Sequence, residues 1–517
     1  MPGEPLPGAA WVALAPIMLC VSTSDEKESF LHSCAAGFVY FSSVHLWGNA
    51  FGWEVWLSIS LLMTLYMGLW GVATCALLKR QPDDSPLRFL IPPLCWTVFE
   101  TLRSLGILGV NWGSIAYSAY QNPAMLKAAS IAGMSLVTMI LASSSSLAAE
   151  AARQAIEGRR HGRGLAVSAA ALAALAAFPA IVPSAEEGRE TIRIGVIQPG
   201  FDMITKKDPL RAAFILREQE RLTMECAASR PDLIIWPETS LPGLYPRIPE
   251  KAFMSRLAKR AGAPILYGIL SADSEGKKNS AVLYGSDGKF RGIYSKRRLV
   301  PFGEYNPLPE SLRDAHPMMR LIPGLSPGKG AGILDAGGRK FGVIICFESD
   351  FPQYARESAK GADFIAVITN DGWFENYSAA EHHAAWNAMR AAENGIPIVQ
   401  AANSGISMVV SPKGKITRRM ELFSKGYFTE DVRIGGGRAP CAVLGDSFTI
   451  LCHVALLAIA AATFAKGKEK AKRGKNEDNN PSDAARHGDG NYNTVSGVGR
   501  RSGKRAGTKG GGNRGGS

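Results

Sequence analysis

The chain has 517 residues, of which 46% are hydrophobic and 20% charged, and its formal net charge is +13. Much of that excess lies in the tail, where Lys466 to Ser517 holds 13 Lys and Arg against 5 Asp and Glu. With no aromatic–basic pattern for stacking bases, the charge speaks against nucleic-acid recognition and for anionic lipid headgroups.

Residues 1–187 are dominated by apolar runs, and crossing a bilayer needs about 20 apolar residues. The runs 55–78, 128–149 and 164–185 contain no Asp, Glu, Lys or Arg. The run 30–48 is similar but carries His32 and His45, and 447–465 is the last such stretch. Two weaker segments are 9–22, which is short, and 89–108, which is broken by Glu100 and Arg103. Those two charges read either as a headgroup contact or as a self-neutralising i,i+3 pair. A buried core helix imitates one such run but not five. The expected organisation is about six membrane segments in 1–187, a globular domain over 188–440, a last membrane helix at 441–466 and a basic, disordered tail over 467–517.

Positive charge sets the orientation. Lys79, Arg80, Arg153, Arg159, Arg160, Arg163 and the tail belong on the cytoplasmic side, whereas the loops 49–54 and 109–120 carry no Lys or Arg. The domain 188–440 is then expected on the periplasmic face of the plasma (inner) membrane. No Lys or Arg precedes Lys27, so the positive start of a signal peptide is missing. Of the eight cysteines, Cys20, Cys34, Cys75, Cys95 and Cys452 fall in membrane segments, leaving Cys226, Cys346 and Cys441. There is no CxxC pair, and the pattern speaks against both a disulfide framework and a zinc site.

Within 188–440, strands are expected at 192–198, 233–236, 265–270, 341–345, 364–369 and 398–401, with helices at 210–228 and 381–394. Hairpins turn at Ser286-Asp287-Gly288 and at Pro412-Lys413-Gly414. Alternating strands and helices indicate an α/β layered fold. In the helix at 381–394, Glu381-His382-His383 lacks a third metal ligand at sensible spacing, so that stretch reads as a solvated helix face.

Three chemical residues sit at three strand ends. Glu238 follows "DLIIWP", where Pro237 stops the strand. Lys296 opens "YSKRRLVPFGEY", a Pro/Gly-punctuated apolar loop ending near Glu304. Cys346 closes "GVII" and precedes Phe347 and Glu348. Each has a bland reading: a solvated carboxylate, a surface basic run, a buried small residue. Together they supply what a thiol needs for attack, a base for its proton and a cation for the oxyanion. Glu304 and Glu348 are expected to orient Lys296 and hold Glu238.

The ordered motifs "IIWPETSLP", "YSKRRLVPFGEYNP" and "ICFES", with "TNDGWF" and "NSGIS" behind them, resemble the carbon–nitrogen hydrolase (nitrilase) superfamily. Set between a helical bundle and one final helix, they are similar to its apolipoprotein N-acyltransferase family. The resemblance implies a multi-pass α-helical membrane bundle plus an extracytoplasmic α/β domain built as an αββα sandwich. It implies Glu238 as general base, Lys296 as oxyanion cation and Cys346 as nucleophile, with Glu304, Glu348, Asn279 and Trp373 as accessory positions. No metal or cofactor is implied. The implied reaction takes an acyl chain from a phospholipid donor and delivers it to the α-amine of a diacylated prolipoprotein, through a Cys346 thioester. Apolar residues of 301–302 and 318–325 would shield that thioester from water. This sequence departs from the family pattern at Phe347, where Tyr is common, and at Glu375, where Gly is usual. It also starts abruptly near 5–7, which reads as a missing first membrane helix. Two other readings use the same residues: a membrane-tethered amidase acting on a small amide, and a scaffold that keeps the shape without the chemistry.

Overall fold

The computed structural model describes residues 8–158, 162–183, 188–309, 311, 322–374 and 378–478. Residues 5–7, Arg159, Arg160, the 318–321 part of the shielding loop, Glu375 and the tail after 478 lie outside the described residues, as does the side chain of Arg163. The chain divides into two units, Met1–Thr463 and Phe464–Ser517. The first contains a helical bundle and an α/β domain.

The bundle comprises α1 (Ala15–Thr23), α2 (Glu26–Val44), α3 (Trp53–Leu78), α4 (Leu87–Arg103), α5 (Pro123–Ile156) and α6 (Gly162–Ile181). Among the described residues four helices are long and apolar enough to cross a membrane: α3, α5, the 164–181 part of α6, and residues 447–466 near the other end. The run expected at 30–48 is not one of them, because its helix starts earlier. Asp25 Oδ1 accepts the Glu28 N–H at 2.8 Å and Glu28 Oε2 accepts the Asp25 N–H at 3.2 Å. This reciprocal cap starts α2 at Glu26 and puts Glu26, Lys27 and Glu28 in its first turn. The weak segments become the short α1 and the 17-residue α4.

Glu100 and Arg103 do not pair with each other among the described residues. The Glu100 carboxylate accepts from Trp96 Nε1 (3.1 Å), Ser114 Oγ (2.7 Å), the Ile115 N–H (2.9 Å) and Thr138 Oγ1 (2.9 Å). Arg103 donates to the Trp112 carbonyl at 2.5 Å and lies over the Phe41 ring. Both charges fasten α4 to the loop that follows it.

The α/β domain follows in chain order: β1 (Glu190–Gln198), α7 (Met203–Lys207), α8 (Ala212–Ala227), β2 (Leu233–Ile235), β3 (Leu244–Tyr245), α9 (Ile248–Ala261), β4 (Ile265–Asp273), β5 (Gly276–Tyr284) and β6 (Phe290–Ser295). After these come β7 (Ile333–Asp335), β8 (Lys340–Ile345), α10 (Pro352–Ala359), β9 (Phe364–Thr369), α11 (Ala379–Asn394), β10 (Ile398–Ala402), β11 (Met408–Val410), β12 (Ile416–Arg419) and β13 (Gly426–Ile434). One sheet runs β13-β1-β2-β4-β5-β6 with β3 beside β4; the other runs β12-β11-β10-β9-β8-β7. The central strands β1, β2, β4 and β8, β9, β10 are parallel, and hairpins flank them.

Alternation along the strands makes the layers. Ile194, Val196, Leu233, Leu266 and Leu283 share one buried cluster with Val343, Ile345, Ala366 and Val399 of the second sheet. The opposite face, with Ile197, Ile234, Tyr267 and Val282, packs on Leu222 of α8 and Met254 and Leu257 of α9. Residues of α10 and α11 cover the second sheet, which completes an αββα sandwich. The chain then runs through α12 (Pro440–Leu444) into α13 (Ser447–Asp478). The helix therefore continues into the stretch expected to be disordered from 467, because Lys, Ala and Glu there favour helix once α13 has nucleated it.

The sandwich docks on the bundle through buried polar groups. At a break in α5, where Gly133 takes φ 73°, the freed Met134 N–H donates to Glu393 Oε1 of α11 at 2.9 Å. Asp350, four residues after Cys346, accepts the Asn111 N–H at 2.8 Å on Oδ2 and the Tyr117 hydroxyl at 3.2 Å on Oδ1. Burial pushes the Asp350 carboxyl up to about 6, against the Asn111 N–H and Arg390, which favour the ionised form. A carboxyl raised on folding binds its proton more tightly in the folded state, so stability is lost as pH rises from about 4 to about 6. Replacing Asp350→Asn is expected to remove that part of the slope, an effect of about 3 kcal/mol. Thermal midpoints in detergent between pH 4 and 7 check it; equal slopes in the two proteins contradict the assignment.

Candidate active site

Glu238 leaves the first sheet directly after β2. The turn is tight because Gly268 of β4 lies against it, donating to the Pro237 carbonyl at 3.1 Å and accepting from Ser240 N at 2.9 Å. A Cβ on Gly268 would stand 2.5 Å from the Pro237 oxygen, so only glycine permits the approach. Thr239 completes the turn at φ 45°. Asn279 lies on β5, and Lys296 follows β6 with its N–H on the Asn279 carbonyl at 2.8 Å. Cys346 follows β8 in the left-handed region, at φ 51°, and opens the turn Cys346–Asp350. Such a conformation in a non-glycine residue is strained and is characteristic of functional positions.

The side chains meet at this rim. Asn279 Nδ2 donates to Glu238 Oε1 at 2.6 Å and to Glu304 Oε1 at 2.9 Å. Lys296 Nζ stands 3.3 Å from Glu238 Oε1 and 3.0 Å from Glu304. Glu304 Oε2 also accepts the Val300 N–H at 2.8 Å, which folds the loop after Lys296 back onto it. Lys296 is 1% exposed, Glu238 5% and Cys346 8%. Burial alone would lower the Lys296 ammonium, but the carboxylates of Glu238 and Glu304 overcome it and hold it above its ordinary value. Burial, reinforced by Glu238, pushes the Cys346 thiol well up, while Lys296 opposes the shift. The resting sulfur is therefore held as a thiol, with Glu238 and the Lys296 ammonium near it. A base must take its proton as it attacks.

Glu348 does a different task from the one expected. Its carboxylate accepts from the Tyr294 hydroxyl (2.8 and 2.9 Å), the N–H groups of Arg297 (2.7 Å) and Arg298 (3.2 Å), and the Ile345 N–H (2.8 Å). It ties the Cys346 turn to the segment after Lys296 instead of touching Lys296 or Glu238. Phe347 is buried, its ring 5.1 Å from that of Phe351. Trp373 is 40% exposed and stacked on Phe51 of the bundle with centroids 6.1 Å apart.

The Glu381-His382-His383 stretch is not a solvated face. His383 is buried, with Nδ1 2.7 Å from Asp371 Oδ1, and Glu381 pairs with Arg419. One side of α11 covers the sheet and the other meets α5, so both sides are lined by small residues that pattern reading took for neutral surface. Among the described residues no group of three or more His, Cys, Asp or Glu is set to hold a metal. Sequence reasoning also missed Tyr294, inside the motif it quoted, and Lys206, whose Nζ donates to the Glu238 carbonyl at 3.3 Å.

A family model described as "Apolipoprotein N-acyltransferase N-terminal domain" matches residues 4–147, and one described as "Carbon-nitrogen hydrolase" matches 209–439. An apolipoprotein N-acyltransferase of Geobacter metallireducens is 28% identical over 485 residues, covering 89% of this chain and 92% of the relative. One of Rhizobium meliloti is 30% identical over 408 residues, covering 73% and 75%. Among solved structures, yeast Nit3, a nitrilase-superfamily member, aligns with 48% of this chain and 93% of its own at 19% identity and a TM-score of 0.39.

Proposed function

The chain belongs to the apolipoprotein N-acyltransferase family, and on that premise we propose that it moves an acyl chain from a membrane phospholipid to the α-amine of a lipoprotein's diacylglyceryl-cysteine, through a thioester on Cys346. Glu238 takes the thiol proton while the sulfur attacks an ester carbonyl of the phospholipid. Lys296 faces the oxyanion that forms. Collapse breaks the ester C–O bond, and Glu238 returns the proton to the departing lysophospholipid oxygen. In the second half the amine attacks the thioester, Glu238 takes a proton from nitrogen, and the C–S bond breaks as that proton passes to the sulfur. The amide product leaves and the thiol is restored.

The observation that carries this reading is the placement of Lys296 between Glu238 and Glu304, at 3.3 and 3.0 Å, beside a cysteine strained at φ 51°. The membrane helices supply the other half of the logic. A soluble enzyme would have to lift each acyl chain from the bilayer at about 0.8 kcal/mol per CH₂. Fixing the sandwich to a bundle removes that cost. The basic segments around Lys79–Arg80 and Arg153 face the cytoplasm, and the sandwich faces the periplasm. Hydrolysis of a small amide has less support, because the relatives that match over both parts of the chain are N-acyltransferases.

Full-length protein in phospholipid vesicles, supplied with a diacylglyceryl-cysteine peptide, tests the proposal by mass spectrometry of the peptide. The expected product carries one further acyl chain in amide linkage on its α-amine. An unmodified peptide, with free fatty acid accumulating instead, would contradict transfer.

A further inference from the structure

Next to the catalytic rim are two ammonium groups that the reaction above does not use. Lys206 and Lys207 end the short α7. Lys206 Nζ donates to the Glu238 carbonyl at 3.3 Å and to Thr239 Oγ1 at 3.2 Å, so it sits on the far side of the same turn that presents the Glu238 carboxylate. Lys207 Nζ lies 4.5 Å from the centroid of the half-exposed Trp373 ring. Elsewhere in this domain the buried lysines are doubly neutralised: Lys278 by Asp273 and Glu275, Lys296 by Glu238 and Glu304. Among the described residues neither Lys206 nor Lys207 has a carboxylate within ion-pair distance. A half-buried cation with no counter-ion is costly unless an anion arrives from outside.

The same segment indicates where such an anion comes from. Ile204 is 81% exposed and Leu210 92%, on either side of the two lysines. Large apolar side chains interleaved with cations suit the headgroup layer of a membrane, not bulk water. We propose that Lys206 and Lys207 form an anion-binding site for the phosphate of the acyl donor, a membrane phosphodiester lipid whose ester carbonyl is presented to Cys346. This rests on the acyl-transfer reading and deepens it. A glycerophospholipid carries its phosphate a few bonds from the reacting ester, whereas the lipoprotein amine has no such group. The site therefore serves only the first half-reaction. Burial lowers the Lys206 ammonium to about 8, partly countered by Glu238, and a bound phosphate would restore the charged form.

The test measures acylation of Cys346 by intact mass in the full-length protein, using vesicles that hold either a phosphoglyceride or the matching neutral diacylglycerol. The unmodified protein is expected to acylate faster from the phosphoglyceride. Lys207→Met, which is exposed and leaves the Glu238 turn untouched, and Lys206→Met should each lose roughly 10- to 100-fold with that donor. The Lys207→Met protein should keep the neutral-donor rate and the rate of transfer from a preformed thioester. Equal losses with both donors would make the lysines props for the Glu238 turn and overturn the site, as would no loss at all. Inorganic phosphate is the remaining arm: a neutral-donor rate that rises when it is added would assign the anion to free phosphate and overturn the lipid source. If the unmodified protein acylates Cys346 from neither donor, the acyl-transfer reading itself fails, an outcome distinct from all of these.

Discussion

Replacing Cys346→Ala is expected to abolish acyl transfer, by a factor on the order of 10⁴ or more, while leaving the fold intact. The sulfur is the only atom of that side chain with chemistry to offer, and the alanine methyl fits the same space. Its surroundings show how the reaction is divided. Burial holds the thiol protonated at rest, so the barrier includes moving its proton, and in the proposed mechanism Glu238 is the acceptor. Cys346→Ser keeps a nucleophile of the same shape but with an oxygen of much higher pKa, so it should be nearly as inactive and should accumulate no thioester. Measured in vesicles, transfer at more than about a tenth of the normal rate by either variant would move the nucleophile elsewhere in the chain.

The second large effect is expected at Lys296. The ammonium joins two buried carboxylates, Glu238 and Glu304, and Asn279 spans the same pair from β5. Lys296→Met removes the charge proposed to face the oxyanion, which is expected to cost on the order of 10³ in rate. It also leaves two carboxylates uncompensated in the interior, and breaking such a set destabilises by about 3–5 kcal/mol. Stability should recover as pH falls and one carboxyl takes a proton; activity should not. Lys296→Arg is a poor rescue, because a planar fork does not occupy the point between two carboxylates that a compact ammonium does. A Lys296→Met protein that is destabilised yet still forms the acyl-enzyme at the normal rate would show a purely structural lysine.

Much of the sandwich was legible because its central strands are short apolar runs ended by recognisable stops. Phe364–Thr369 is found with the expected bounds, and both hairpins turn at the expected glycines. Strand β13 was not legible. In Gly426–Ile434 the polar run Thr429-Glu430-Asp431 interrupts the apolar pattern, and its partner β1 lies far back in the chain, so no local signal marks the pairing. The start of α2 was hidden in a reciprocal cap, Asp25 with Glu28, upstream of the apolar run that drew attention. The burial of α11 was hidden by its alanines, which read as neutral until two layers close on them. At the site, Lys296 and Cys346 were legible because each directly follows a strand, Glu238 because Pro237 stops the strand before it, and Glu304 because it closes a Pro/Gly-punctuated loop. Asn279, inside β5, was expected only from the family resemblance. The partners of Glu348 were not, since three of them are backbone N–H groups, which a sequence does not display. Lys206 sat in a polar stretch that pattern alone assigns to solvent.

The account turns on a covalent acyl-enzyme. Its most direct measurement is intact-mass analysis of the full-length protein after incubation with a phospholipid in the absence of acceptor, followed by peptide mapping. One added acyl chain on the peptide containing Cys346, discharged when a diacylglyceryl-cysteine peptide is added, is the predicted result. Product formed at full rate with no acyl chain ever on Cys346 would contradict it.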